Sequence, residues 1–535
     1  MTRDVARLGA RTFDVLVVGG GIYGLTIAAD AAQRGLSVAL VERDDFGSGT
    51  TFNHLRTIHG GLRYLQSLDL ERARESILER RTLARIAPHA VQPMPFVLPL
   101  TSRFIRGPLM MRAGFLLDAL IARDRNDGVP DHLRLPAGQV LTAAEARRRF
   151  PLVDQPRLVG AALWHDYVTV ESDRLTLSWG LLAARHGAEL ANHAEATRLL
   201  ADGTRIVGAQ VVDRLTDRHV DVAARLVVNA TGADLDRLLA DLQAPTGMPL
   251  LRAVNLVTRL AAGGAAIGGQ AASGRALFMV PWRGRALFGT FESATFCQAD
   301  ATRPTDDEVA RFVAEVASAF PGSGLTRDDV TLVHRGVVPA RAANGGVALE
   351  GHQRVRDHAN GARALDGLIS IAGTKYTTAR SVAEQITDRV LTKLGRPPVP
   401  SRTAGTLLAG TDDASAPAAL TSTRADLPGD VRAHLAAAYG PAAERIESIA
   451  ASDPALAARV SDDSPVIAAQ IAWAVQHEMA VTLADAVIRR TALGALGHPG
   501  EAALSRAAAI MSTVCGWDPE RRDREVCAVR EFYER

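Results

Sequence analysis

The apolar positions of this chain fall into runs of two kinds, and the order of the runs suggests an architecture. "FDVLVV" (13–18) is a short apolar run followed at once by glycines. It reads as a strand buried on both faces, because a half-exposed strand would alternate with polar residues. "IYGLTIAADAAQRG" (22–35) has helical spacing and ends in a glycine, and "SVALVE" (37–42) is a second buried strand that ends in an acid. This is a βαβ unit of ordinary length. Two later apolar strands, in "LVVNATG" (226–232) and "LISIAGT" (368–374), also end in small-residue turns. Between them lie sheet-like segments, "RIVGAQVVD" (205–213) and "RALFMVPWRGRALFGTFE" (275–292). The second has a turn at Arg283–Gly284 and reads as a hairpin. From about residue 397 the character changes. "RPPVPSRTAGTLLAGTDDASAPAAL" (396–420) reads as a linker, and the pattern beyond it is almost wholly helical.

Composition narrows the function classes. Of 535 residues, 47% are apolar, enough for a large core and two or three domains. The net charge of +2 argues against a general nucleic-acid binder. Three scattered cysteines, Cys297, Cys515 and Cys527, fit neither a disulfide framework nor a zinc site and point to a reducing compartment. His165–Asp166 has no partner spacing for a metal, so no metal is expected. The N-terminal apolar run belongs to the fold rather than to a secretory signal. No stretch reaches the ~18 to 20 apolar residues that span a bilayer. These features predict a cytoplasmic protein. "SRFIRGPLMMRAGFLLDALIAR" (102–123) is amphipathic and basic; it reads either as a packed helix or as a segment lying on a membrane surface.

The sharpest local signal is Gly19, Gly21 and Gly24, a G-x-G-x-x-G directly after a strand and at the start of a helix, with Glu42 ending the next strand. The first glycine permits a tight turn, the second lets a pyrophosphate approach the backbone, and the third lets helix and strand pack closely. The helix N-terminus offers free N–H groups to phosphates, and Glu42 can accept from ribose hydroxyls. Two features favour FAD over NAD. The motif lies near the N-terminus with most of the chain still to come, and strand ends at "NATG" and Gly373 return late, as if to one extended cofactor. "TKYTTARSVAEQITDRV" (374–390) reads as a helix beginning near Lys375. A helix start is unfavourable for a cation unless an anion lies close by. "RTIHGGLRYLQ" (56–66), read alone, is either the lip of a site or a polar turn.

Taken together, "FDVLVVGGGIYGLTIAADAAQRGLSVALVE", "IHGGLRYL", "RIAPHAVQPMPFVLPL", "NATG", "GTKYTTARSVAE" and "HEMAVTLADAVIRRTALG" resemble the FAD-dependent glycerol-3-phosphate dehydrogenases over essentially the whole chain. The resemblance implies an α/β fold: an FAD-binding Rossmann-type domain interleaved with an antiparallel-sheet substrate domain, plus a C-terminal all-helical domain. The FAD-dependent region would span 1–396. Its cofactor segments would be about 12–90, 150–245 and 355–396, and its substrate segments 91–149 and 246–354. A linker at 397–418 and a helical domain at 419–535 would follow. The implied reaction oxidises a secondary alcohol of a glycerol-3-phosphate-like polyol phosphate or related hydroxylated metabolite by hydride transfer to flavin N5, with quinone or oxygen taking the electrons. Gly19, Gly21, Gly24, Glu42, Arg43, Thr50, Thr51, Gly60, Gly61, Leu62, Thr231, Gly232, Gly373, Thr374, Tyr376 and Thr377 would hold FAD. His59, Arg63 and Lys375 would serve catalysis, and Tyr64 would line the substrate pocket. His59 as a general base competes with His59 as a turn residue. In the family, a stretch like 102–123 helps attachment to a membrane near the quinone pool, so contact with the membrane's inner face is left open. So is a homodimer.

The departures from the family matter as much. Its Gly-Val-Arg-Pro stretch appears here as "GVVP" (336–339), with Val338 in place of the arginine. A second phosphate-binding arginine falls at Glu350. The family's Lys-Gly-Ser-His stretch is "RAVN" (252–255), with Asn255 at the histidine position, and the approach to the IHGG motif is "GTTFNHLRT" (49–57). Two lost arginines remove contacts worth about 1.5–3 kcal/mol each. Arg252, Arg335 and Arg341 are the candidates to compensate, and with Asn255 they are the expected substrate-binding residues on this side. His54 is similar to histidines through which some flavoenzymes tether FAD covalently; an uncoupled pocket histidine is the simpler alternative. Two other functions stay open: a flavin-dependent amine or amino-acid oxidase of the same fold, and a flavin-binding partner protein without turnover.

Overall fold

Phe13–Val18 is buried at every position and lies between two parallel neighbours, Val38–Val41 and Arg218–Asn229. The computed structural model describes residues 1–62, 64, 69–102, 107–155, 157–343, 346–361, 363–408 and 426–534. Register aligns the strand ends: Val18 stands opposite both Val41 and Asn229, and Asn229 opposite Ser370 of the parallel strand Leu368–Ala372. Three glycine-bearing turns, at Gly19, Gly232 and Gly373, therefore open on one edge of the sheet, where α/β proteins bind ligands. The path across this sheet is Arg354–Asp357, Leu368–Ala372, Arg218–Asn229, Phe13–Val18, Val38–Val41, Glu189–Ala191. An antiparallel flap of Ala194–Asp202 and Arg205–Asp213 continues from Arg218–Asn229. The helix Ile22–Gln33 covers one face, packed between Ser172–Arg185 and Ala379–Lys393.

Among the described residues the second sheet has ten mostly antiparallel strands, with Val330–Ala343, Leu250–Ala261, Arg285–Glu292 and Ala276–Trp282 at its centre. The expected hairpin turn is present. Arg283 and Gly284 both have positive φ, 51° and 76°, the I′ geometry that matches strand twist. Helix Asp306–Ala319 covers this sheet, started by a capping box between Thr305 and Glu308. Two short pieces differ from the sequence reading. Gly160–Val168 and Thr57–Ile58, assigned there to the cofactor segments, pair with each other in the second sheet, where Gly160–Val168 also pairs with Gln92–Leu100. The helix expected near Lys375 begins only at Ala379. The residues before it spend their side chains elsewhere: the Thr374 hydroxyl donates to the Glu350 carbonyl (2.9 Å), and the Thr377 hydroxyl accepts from the His59 N–H (3.2 Å).

The C-terminal region is helical, built on Gly429–Tyr439, Ala443–Ser452, Ala468–Glu478, Glu501–Cys515 and Pro519–Glu534. Of the expected linker, residues 397–408 lie against the first domain, where the Ser401 hydroxyl donates to Asp30 and Leu408 N–H to the Ile86 carbonyl; residues 409–418 lie outside the described residues. Buried ion pairs dock the helices on the cofactor domain. Asp45 accepts from Arg489 (2.8 Å) and from both terminal nitrogens of Arg490 (2.6 and 2.7 Å). Arg174 forms a fork on Glu478, and His193 pairs with Asp485 at 3.0 Å. Ligating atoms of Asp45, His193 and Asp485 lie within 4.8 Å of one another, and Arg489 and Arg490 already supply the positive charge that these carboxylates need.

This clamp carries a pH signature. Burial alone would lower the His193 pKa, but Asp485 and Asp45 override it and hold the imidazolium above its ordinary value despite the nearby Arg489. A raised folded pKa stabilises fully below the unfolded value and loses that contribution as pH rises through the folded one. His193→Gln is expected to lower the thermal midpoint by about 2 °C at pH ~6 and by less at pH ~9. Equal losses at both pH values in a thermal melt would show that the ion pair does not contribute.

Candidate active site

The three strand ends open into a cavity of about 850 Å³. Its floor exists because two side chains are missing. A Cβ on Gly24 would sit 1.8 Å from the Gly19 carbonyl oxygen, and one on Gly19 would sit 2.6 Å from the Ala230 carbonyl oxygen. With glycine at both places, helix Ile22–Gln33 starts directly against the strand, with Gly21 as its N-cap. The N-terminus, with its partial positive charge, faces the cavity. Thr51 accepts from the Ile22 N–H (3.0 Å). Glu42 lines the cavity while accepting from the N–H groups of Gly20 (2.6 Å) and Asp44 (2.9 Å). Burial pushes its pKa up, and those two hydrogen bonds oppose the rise. Arg43 pairs with Asp234 at 2.9 Å, joining two cavity-lining turns. Thr50 donates to the Val337 carbonyl (3.1 Å) and so clips its loop to the second sheet. Thr231, held by Asn229, then Gly232, Gly373, Thr374 and Tyr376 complete the lining. A side chain at 373 would collide with the Tyr23 hydroxyl at 2.3 Å. A side-chain-free helix start, a carboxylate beyond it and two late glycine turns fit an extended dinucleotide such as FAD. The residues that would hold it are those just named.

The "IHGG" stretch packs on helix Leu70–Ile86. A Cβ on Gly60 would meet the Arg80 guanidinium at 2.0 Å, and Gly61 has φ +84°. The Gly60 N–H donates to Asp166 at 2.7 Å, and Arg80 pairs with the same buried carboxylate. The sequence reading passed over this Arg80–Asp166 pair, because its partners lie 86 residues apart. The His59 side chain is 40% exposed. Its Nε2 bonds the Thr57 hydroxyl at 2.7 Å, and its Nδ1 lies 4.0 Å from Asp166. Leu62 packs towards Leu100, Met111 and Phe115. Arg63 lies outside the described residues. Lys375 lines the cavity and donates to the Ser76 hydroxyl. Its Nζ lies 4.5 Å from the centre of the Tyr64 ring, which brings those two side chains together.

The opposite wall departs from expectation. Val338 is buried in an apolar cluster with Leu251 and Ala340. Arg252, a candidate to compensate, is spent on Glu308, with contacts of 2.6 and 2.7 Å to its two oxygens, and on the Ala301 carbonyl. Arg341 is exposed at the far end of its strand. Arg335 does line the cavity, and its N–H donates to the Asn53 side chain (2.9 Å). Asn255 is buried, donates to the Asn53 carbonyl (2.8 Å) and accepts from the Thr290 hydroxyl (2.8 Å); it positions the 49–53 loop from below. Glu350 is tied to Arg354. His54 stacks on Tyr376 with ring centres 4.7 Å apart and accepts from the Arg56 N–H. Burial holds its pKa well below the ordinary histidine value. Among the described residues its buried Nε2 has no partner.

A glycine-floored dinucleotide cavity walled by a second sheet, with Lys375 in its lining, fits the class of FAD-dependent oxidoreductases. The comparisons agree. Residues 14–389 match the family of FAD dependent oxidoreductases, and residues 401–522 match the C-terminal domain of alpha-glycerophosphate oxidase. The chain is 31% identical to the glycerol-3-phosphate dehydrogenase of Synechocystis sp., over 99% of this chain and 98% of that protein. It is 32% identical to the mitochondrial glycerol-3-phosphate dehydrogenase of Bos taurus, over 97% and 73%. The glycerol-3-phosphate dehydrogenase from Bacillus halodurans, solved with FAD, superposes with a TM-score of 0.75 at 25% identity, covering 99% of this chain and 96% of that one. Glycine oxidase from Geobacillus kaustophilus shares the fold over 74% of this chain, with a TM-score of 0.52 at 19% identity. The chain belongs to the FAD-dependent glycerol-3-phosphate dehydrogenase family.

The floor gives a direct prediction. Gly24→Ala places a methyl group against a backbone oxygen and displaces the helix start. It is expected to purify folded by circular dichroism but with less than about a tenth of the wild-type flavin absorbance. Full flavin content would show that the close approach is not needed.

Proposed function

We propose that this protein oxidises the secondary alcohol of glycerol 3-phosphate or a close polyol phosphate and passes the electrons to quinone or oxygen. The observation that carries this reading is the meeting of Lys375, Tyr64 and the His59 stretch at the edge of the dinucleotide cavity. Bound FAD supplies the hydride acceptor, at N5. Lys375 would stabilise negative charge developing on the alcohol oxygen. His59, whose Nε2 is held by the Thr57 hydroxyl, would take the alcohol proton at Nδ1, and Asp166, 4.0 Å from that nitrogen, would steady the resulting imidazolium. Arg80 and the Gly60 N–H in turn fix Asp166. Turnover should be saturable with glycerol 3-phosphate and about 10- to 100-fold less efficient with glycerol, which lacks the phosphate contacts. Turnover with glycine or proline but not with glycerol 3-phosphate would replace this reading with amine oxidation. Loss of turnover with every alcohol and amine would remove catalysis altogether.

A lipid surface is the proposed meeting place with a quinone. Helix Pro108–Ile121 leaves Leu109, Leu116 and Leu120 74%, 70% and 72% exposed, and their spacing puts them on one side. Among the described residues no helix is long and apolar enough to cross a membrane, so the contact would be peripheral. The double variant Leu116→Asp, Leu120→Asp should sediment with anionic vesicles at least about fivefold less than wild type, with turnover of a soluble acceptor retained. Unchanged sedimentation would remove this helix from the contact.

A further inference from the structure

At the two positions where the resemblance places phosphate-binding arginines, the sheet side presents Val338 and a Glu350 already tied to Arg354, so a cation on another element is worth seeking. The helix Leu70–Ile86 brings Arg72 to the other side. The Arg72 guanidinium carbon lies 4.1 Å from the centre of the Tyr64 ring, the same ring that carries Lys375. Two cations therefore share one phenol, and one of them, Lys375, lines the cavity. Arg72 also donates to the Gly351 carbonyl, and a Cβ on Gly351 would meet its NH1 at 2.6 Å. The turn after Glu350 is thus shaped around the guanidinium.

Neighbouring carboxylates are occupied. Asp69 caps the helix by accepting from the Arg72 N–H (3.2 Å) and faces His352 at 3.7 Å. Glu75 accepts from the Ser381 hydroxyl, and Glu350 holds Arg354. Among the described residues no carboxylate pairs with the Arg72 side chain, which is half-buried. Like charges brought to one ring repel, and a doubly charged anion between them relieves that repulsion. A guanidinium also matches the planar pairs of phosphate oxygens.

We infer that Arg72 is the phosphate-recognising residue of this chain, binding the phosphate monoester of the substrate from the helix side while Lys375 faces the reacting alcohol. This rests on the polyol-phosphate reading above and replaces the two sheet-side arginines that the chain lacks.

The test is steady-state kinetics of the flavin-loaded enzyme with glycerol 3-phosphate, with inorganic phosphate as competitor. Arg72→Leu is expected to raise KM about 10- to 100-fold with kcat changed less than about threefold, and to weaken phosphate inhibition by a similar factor. Arg72→Lys, which keeps the charge and loses the fork, should fall between. A KM and an inhibition constant unchanged in both variants would overturn the inference while leaving the wild-type activity intact. Absence of wild-type turnover with glycerol 3-phosphate would overturn the polyol-phosphate reading itself. If Arg72→Leu loses its flavin or its fold, Arg72→Lys decides alone: an unchanged KM rejects the role.

Discussion

The carbonyl oxygen of Gly19 occupies the space where a side chain at position 24 would begin, and the structure is arranged around that contact. It lets helix Ile22–Gln33 start against the strand and aims its N-terminus along the edge where three parallel strands end level. The same edge is gripped from outside. Asp45, three residues beyond Glu42, is held by Arg489 and Arg490 of the C-terminal helices. Thr482, Ile488, Phe532 and Tyr533 of that region also line the cavity. The helical domain thus acts as a wall of the cofactor site as well as a cap.

A second constraint sets the substrate side. Asp166 is buried, and removing its charge from water is costly unless partners surround it. Arg80, the Gly60 N–H and the Trp164 indole all donate to it. That network holds the "HGG" backbone flat on its helix, which allows His59 and Tyr64 to reach the same edge as Lys375. The opposite wall is apolar at Val338, while Arg335 of the same strand lines the cavity.

Much of this was legible in the sequence, because the βαβ unit is local: strand, glycines, helix and acid lie within thirty residues. The "IHGG" motif and the apolar residue at Val338 were equally readable. What escaped was long-range. Lys375 precedes its helix by four residues because Thr374 and Thr377 bond to Glu350 and His59, partners 24 and 318 residues away. Arg252 looked free until the fold brought Glu308 to it. Nor could sequence sort the arginines of "LERARESILERR". In the fold Arg74 and Arg81 go to Asp124, Arg80 to Asp166, and Arg72 to the Tyr64 ring. Helical spacing gives a face, and only the neighbouring elements decide which guanidinium meets an acid and which meets the pocket.

The central claim is that this cavity and its lysine–histidine edge form an alcohol-oxidising flavin site. Mixing the flavin-loaded protein with glycerol 3-phosphate in the absence of oxygen tests it in a single turnover. The account predicts rapid loss of the oxidised-flavin absorbance, with no such loss on mixing with glycine or proline. Bleaching by the amino acids and not by glycerol 3-phosphate would contradict it.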